Sequence, residues 1–240
     1  MCDSPDKTPI WKAIANALRS DLAEGHYSPG EKLPTESALA DRFGVNRHTV
    51  RHGLSALVSE GLVRTRRGAG AFVVSTPADY RLGHRVRFHE NLIDAGRHPE
   101  KRVLSLDTRA ATQGEARALH IQVGDQVCAY HGLLLADGQP LAVVLSVFPS
   151  MRLSGIFEAL SATTSVTQAL RSVGIDDYTR ASTRLTAVRS TATQALLLQT
   201  REGDPLLRSS SVNQCANAIP VEYGRTWFVG DRITLTLGET

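Results

Sequence analysis

Asn46-Arg47-His48-Thr49-Val50-Arg51-His52-Gly53-Leu54-Ser55-Ala56-Leu57-Val58 decides the fold of the first third of this 240-residue chain. Val50, Leu54, Leu57 and Val58 recur at helical spacing and make one apolar stripe. Asn46 offers an N-cap and Gly61 a stop. Arg47, Thr49 and Arg51 fall on the other side, with the two arginines one turn apart near the N-terminal end. A recognition helix presents that end to base edges. Arginine can fork onto guanine O6 and N7, and threonine can meet a phosphate or the thymine methyl. The helix dipole also favours phosphate there.

Upstream, Gly44 ends a second helix over 35–43, with Thr35 as its N-cap and Leu39 and Phe43 facing inward. Before it, Ile10, Ile14, Ala17, Leu18 and Leu22 mark a first helix, closed by the stretch from Glu24 to Gly30 with its two glycines and a proline. Downstream, strands at 62–66 and 71–74 flank Arg67-Gly68-Ala69-Gly70. So small a hairpin tip can approach a minor groove while Arg64, Arg66 and Arg67 reach the flanking phosphates. Three helices and a hairpin in this order read as a winged helix-turn-helix over residues 8–76, a reader of double-stranded DNA. The charge agrees. Residues 42–67 carry six arginines against the single acid Glu60, whereas residues 79–240 carry 17 basic and 16 acidic residues.

Residues 77–84 read as a linker and 85–240 as a second domain. Its signals are β-rich: strands at 127–135, 141–148, 182–188, 206–212, 221–229 and 233–237, with helices at 113–119, 164–173 and 191–197. Ala136-Asp137-Gly138-Gln139 marks a hairpin turn. The whole chain is thus α+β, and the second domain is built on a largely antiparallel sheet.

No nucleophile elbow or Gly-rich phosphate loop occurs in this half, and its histidines are scattered. Cys2, Cys128 and Cys215 lie far apart without metal-ligand spacing. The reading is therefore a non-enzyme that requires no cofactor and no metal. Arginines suit an anionic ligand by bidentate contact. Arg85 and Arg87 share a side if extended, and Arg102, Arg208 and Arg225 lie in or beside strands. Glu222 and Tyr223, after Pro220-Val221, are further candidates for binding a small anionic effector. No apolar run is long enough to span a membrane and no secretory signal begins the sequence, so a cytoplasmic protein is expected. The rival reading is a metabolite-binding or lyase-like enzyme whose helical head serves assembly.

Leu33-Pro34-Thr35-Glu36, Leu39-Ala40, Phe43-Gly44-Val45, Arg47, Thr49-Val50-Arg51, Glu60-Gly61-Leu62-Val63 and Gly68-x-Gly70-x-Phe72-Val73 together resemble the GntR family of bacterial regulators. The run from Val45 to Arg51 further resembles phosphonate-utilisation regulators of the HutC subfamily (PhnF type). Arg87-Phe88-x-x-Asn91-Leu92, Gly96-x-x-Pro99, Leu135-Ala136-Asp137-Gly138-Gln139-Pro140, Pro220-Val221-Glu222-Tyr223-x-Arg225 and Gly230-Asp231-Arg232 resemble the UTRA effector domain, with its chorismate-lyase-like fold. The resemblance implies a homodimeric repressor on a pseudo-palindromic operator, released by a small anionic effector such as a phosphonate or phosphate ester. The candidate DNA contacts are accordingly Thr35 and Glu36 before and on the second helix, and Arg47, His48, Thr49 and Arg51 on the third. Arg66, Arg67, Gly68 and Gly70 supply the wing. Ser37 stands where the family often carries arginine. In the second domain, Leu134 and Val144 replace an arginine and an acid.

Overall fold

The computed structural model describes residues 9–66, 68–74, 77–83 and 88–237, without the Arg66 side chain. The chain divides into two compact units, Met1–Thr76 and Pro77–Thr240.

The first unit runs α1 (Ile10–Ala23), α2 (Glu36–Phe43), α3 (Arg47–Ser59), β1 (Val63–Arg66) and β2 (Gly70–Val73). Short-range chemistry sets its boundaries. Thr35 Oγ1 accepts the Ala38 N–H at 3.1 Å, and Asn46 Oδ1 accepts both the N–H and the hydroxyl of Thr49 at 2.9 Å. Each cap satisfies a backbone donor that the first helical turn cannot. Gly44, at φ +63°, ends α2 in the left-handed conformation glycine tolerates best. Ile14, Leu18, Leu39, Val50, Leu54 and Leu57 close the core between the helices. Ile10 and Val58, expected in the stripes, are instead 62% and 37% exposed. Ile10 opens the first turn of α1, ahead of the packed face, and Val58 lies beside Leu57 near the C-terminal end of α3.

The hairpin pairs Val63 with Val73 and Arg66 with Gly70. Residues 30–33 add a third edge: Leu33 N–H donates to Ala71 O and Val73 N–H to Glu31 O, both at 2.9 Å. Because Leu33 is itself buried, this edge ties the wing to the helical core.

The second unit runs β3 (Ala78–Arg81), α4 (Phe88–Asp94), β4 (Pro99–Ala110), α5 (Gln113–Leu119), β5 (Gln126–Ala136), β6 (Gln139–Pro149), α6 (Ile156–Ala162), α7 (Val166–Ser172), β7 (Thr179–Arg189), α8 (Ala192–Leu198), β8 (Pro205–Gln214), β9 (Pro220–Val229) and β10 (Ile233–Thr236). Six strands form an antiparallel sheet in the order β4-β5-β6-β9-β8-β7, while β3 pairs in parallel with β10. The β3 residues fall within the stretch read as a linker.

One sheet face packs Cys128, Tyr130 and Phe148 against Ile156, Leu160 and Leu170 of α6 and α7. The opposite face packs Val127, Ala129 and Val147 on α5, and Leu133, Leu135 and Val143 on Leu198 of α8. Burial on both faces explains why β5 and β6 read as nearly continuous apolar runs. The Asp137-Gly138 turn between them has φ +49° and +75°, the pair of left-handed residues that a two-residue hairpin prefers.

Three further elements depart from the sequence reading. Phe88 opens α4 rather than continuing an extended run. Helix α6 was not anticipated. Nor was β4, which is an edge strand with Val103 and Leu104 44% and 40% exposed and a bulge between Val103 and Ser105. An edge strand with an interrupted pleat lacks the alternation that identifies strands in sequence.

Glu115 joins β4 to α5. Its carboxylate takes two 2.8 Å bonds from Arg109 and a 2.9 Å bond from the Thr112 N–H. The Arg109 hydrogen bond, with help from Thr112, holds the buried Glu115 carboxyl down at about 2. A carboxyl depressed by folding stabilises the native state above its unfolded value and loses that contribution as pH falls. Urea unfolding should therefore show a loss of about 1–2 kcal/mol between about pH 5 and 2 that Glu115→Gln abolishes. An unchanged pH profile in the variant would remove this account.

Candidate functional site

The N-terminal half of α3 carries its arginines outward on two neighbouring supports. Arg51 Nε and Nη2 donate to the two Glu36 oxygens at 3.0 and 2.6 Å. That hydrogen bond, assisted by the charge of Arg51, holds the Glu36 carboxyl below its usual range. Because Glu36 takes the side edge of the guanidinium, the end edge of Nη1 and Nη2 stays open, and that edge can fork onto guanine. Arg47 Nη2 donates to Ser37 Oγ at 2.9 Å. Ser37, the residue in the often-arginine position, thus supports the neighbouring arginine. Thr35 and Thr49 spend hydroxyl contacts on the helix caps, and His48 is exposed.

At the wing, Gly68 and Gly70 have φ +71° and +111°. A Cβ on Gly70 would come within 3.0 Å of Lys32 Cε, so the Lys32 side chain lies over the wing. Sequence reasoning missed Lys32 because only the pairing of 30–33 with β2 brings it there. Arg67 and the Arg66 side chain lie outside the described residues. Elsewhere in the unit, Arg42 and Arg19 are paired with Asp21 and Glu60, both at 2.7 Å.

The second unit contains a cavity of about 790 Å³ lined by the six-stranded sheet, by α4 and by the Thr163–Arg171 segment. Across its floor, register places Tyr130, Ser146, Gly224 and Ser211 in one row on β5, β6, β9 and β8. Glu222, on the same face, is buried and accepts Ser146 Oγ–H at 2.5 Å and Asn213 Nδ2–H at 2.6 Å. Lys101 reaches in from β4, its ammonium 5.8 Å from the centre of the Tyr130 ring. Burial lowers the Lys101 ammonium from its ordinary range, an effect partly offset by the Glu222 charge. It pushes the Tyr130 phenol up to about 12. Leu134 and Val144, the two positions that depart from the family pattern, also line this cavity.

Of the seven expected effector residues, Glu222 lines the cavity. Arg208, Tyr223 and Arg225 do not, and the reason is the period of two along a strand. Glu222, Gly224 and Thr226 face the cavity, so Tyr223 and Arg225 face the other way. There Tyr223 packs with the α5 side of the core and Arg225 lies 5.3 Å over its ring. Arg208 pairs in register with Trp227, on that same far face. Arg102, exposed beside Lys101, bonds Glu100 at 2.6 Å. Arg85 and Arg87 lie outside the described residues. Lys101, Tyr130, Ser146 and Asn213 went unread because cavity membership depends on β4 being a strand and on cross-sheet register. Among the described residues no group of three His, Cys, Asp or Glu could hold a metal, and no helix is long and apolar enough to cross a membrane.

Residues 11–73 match the gntR family of bacterial regulatory proteins, and residues 94–234 match the UTRA domain. The chain is 34% identical over 229 residues to RB1450 of Rhizobium meliloti (strain 1021), an uncharacterized HTH-type transcriptional regulator, across 95% of this chain and 94% of that one. It is 32% identical over 228 residues to the probable transcriptional regulator PhnF of Escherichia coli (strain K12), again across 95% and 94%. The crystal structure of PhnF from Mycobacterium smegmatis superposes with a TM-score of 0.66 at 25% identity, covering 95% of this chain and 99% of that one. With an arginine-bearing recognition helix in one unit and a polar cavity in the other, each matched over most of its length, this chain belongs to the GntR family of transcriptional regulators that carry a UTRA domain.

Proposed function

We propose that this protein is a cytoplasmic, homodimeric repressor whose grip on a pseudo-palindromic operator is released by a small anionic metabolite, in the control of phosphonate uptake or degradation. Residues 8–76 read the DNA, 77–84 link, and 85–240 bind the effector and dimerise. The observation that carries this reading is the polar cavity in the second unit of a chain whose first unit is a DNA reader. Its volume suits a small ligand, and Lys101, Arg171 and Arg180 line it together with Glu90, Glu100 and Glu222. The phosphonate assignment rests on the resemblance of the Val45–Arg51 and Arg87-Phe88-x-x-Asn91 stretches.

Two subunits would set their α3 helices about 34 Å apart, one turn of DNA, on the two half-sites. Thr35, Arg47, His48, Thr49, Arg51 and the wing would supply the contacts, with Glu36 acting through Arg51. An effector can weaken that complex only by preferring the conformation that fits DNA less well. Operator affinity should fall on adding ethylphosphonate, inorganic phosphate or glucose 6-phosphate, as read by fluorescence anisotropy. If none of these changes the affinity, the sensor reading fails.

A further inference from the structure

Glu222 stands in the middle of the cavity wall with no cation in contact. Neutral donors hold its two oxygens, and its carboxylate makes no ion pair within the described residues. A carboxylate withdrawn from water and left without a cation in contact is costly, and none of Lys101, Arg171 and Arg180, the cations that line the cavity, makes an ion pair with it, so this wall favours a further positive group. Two strands away the complementary need appears. The Tyr130 hydroxyl is buried and has no hydrogen-bond partner, and the Lys101 ammonium beside it has no carboxylate within ion-pair distance. Both are donors and both face the cavity.

We propose that the effector is a short zwitterion, its ammonium seated on Glu222 and its acid group, carboxylate or phosphonate, seated between the Tyr130 hydroxyl and the Lys101 ammonium. This deepens the sensor reading above and rests on it. A plain anion would satisfy Lys101 and Tyr130 but would present nothing to Glu222, and a second acid there would be repelled. A plain amine would leave the two donors unmatched. Tyr130 and Glu222 stand on the same sheet face, two strands apart and offset by two residues along the strands, so both ends of one ligand lie within a single cavity.

Isothermal titration of the full-length protein with β-alanine and 2-aminoethylphosphonate tests this, against propanoate, ethylphosphonate and ethylamine. The two zwitterions distinguish a carboxylate from a phosphonate at the acid end. At least one should bind about 10- to 100-fold more tightly than its acid-only and amine-only counterparts, the worth of one charge-assisted contact. Glu222→Gln, which keeps the side chain's shape and its amide oxygen, should erase that preference while leaving acid-only affinity in place. Lys101→Met should weaken zwitterion and acid alike. Circular dichroism establishes that the variants fold, and the comparison between probes on the unaltered protein decides the matter if they do not. An acid that binds as tightly as its zwitterion overturns the inference but leaves the sensor reading standing. Binding by none of these probes overturns it too. The sensor reading itself fails only if ethylphosphonate, phosphate and glucose 6-phosphate all leave operator affinity unchanged.

Discussion

Replacing Arg47 and Arg51 together with alanine is expected to lower affinity for a site selected from random duplexes by about 30-fold to 10,000-fold. Each bidentate guanine contact contributes about 1–3 kcal/mol of discrimination, and each 1.4 kcal/mol is about tenfold. The loss should appear as a loss of preference, because Lys32 and the wing would still meet phosphates on any sequence. The two side chains are exposed and alanine is the strongest helix former, so α3 should remain folded. Competition between selected and scrambled duplexes in an anisotropy assay reads the effect. Equal binding by variant and parent would end the assignment of α3 as the reader and revive the enzyme with a helical assembly head. The Arg51–Glu36 pair adds a sharper expectation. Arg51→Ala leaves Glu36 as a bare carboxylate near the phosphates, so Glu36→Gln should recover part of the loss in that background. A Glu36 that acted only in folding would give no such rescue.

The second large effect is structural and involves a residue that belongs to neither proposed site. Arg232 is 3% exposed and donates from Nη1 to Pro140 O at 2.5 Å and Leu198 O at 2.7 Å, and from Nη2 to Gln199 O at 3.1 Å. Leu198 and Gln199 close α8, where the last carbonyls have no helical partner, and a cation there is favoured by the dipole as well. Arg232 therefore ties the end of α8 to the start of β6 and to the turn into β10. Arg232→Met keeps the bulk but strands three carbonyls, two of them in buried contacts, at a cost of about 3–5 kcal/mol. In a chain of this length that lowers the melting temperature by roughly 6–20 °C in calorimetry. A shift under about 2 °C would mean that water replaces the guanidinium at all three carbonyls.

The reader helix was legible because everything that makes it is local: the caps at Thr35 and Asn46, the Val50-Leu54-Leu57 stripe and the stops at Gly44 and Gly61 all act within a few turns of the chain. The hairpin turn at Asp137-Gly138 was legible for the same reason, since both residues take the left-handed conformation the turn requires. The edge strand β4 was not, because its outward residues are partly apolar and its pleat is broken.

The amino-acid sequence by itself determined the winged helix-turn-helix, its outward arginines, the α+β character of the second domain and the likeness of both to one regulator family. Local capping and helical periodicity need no knowledge of the rest of the fold. Tertiary structure alone decided which polar residues meet in the cavity. A one-residue step along a strand reverses the face on which a side chain stands. Glu222 consequently lines the cavity while its neighbour Tyr223 packs behind the sheet, and Lys101 turns inward while Arg102 turns to solvent. Register across five strands, fixed by pairings distant in sequence, then brings Lys101, Tyr130, Ser146, Glu222 and Asn213 to one wall. No spacing along the chain encodes that convergence. At the DNA-reading end the same holds on a smaller scale, where Glu36 and Ser37 on one helix support Arg51 and Arg47 on the next.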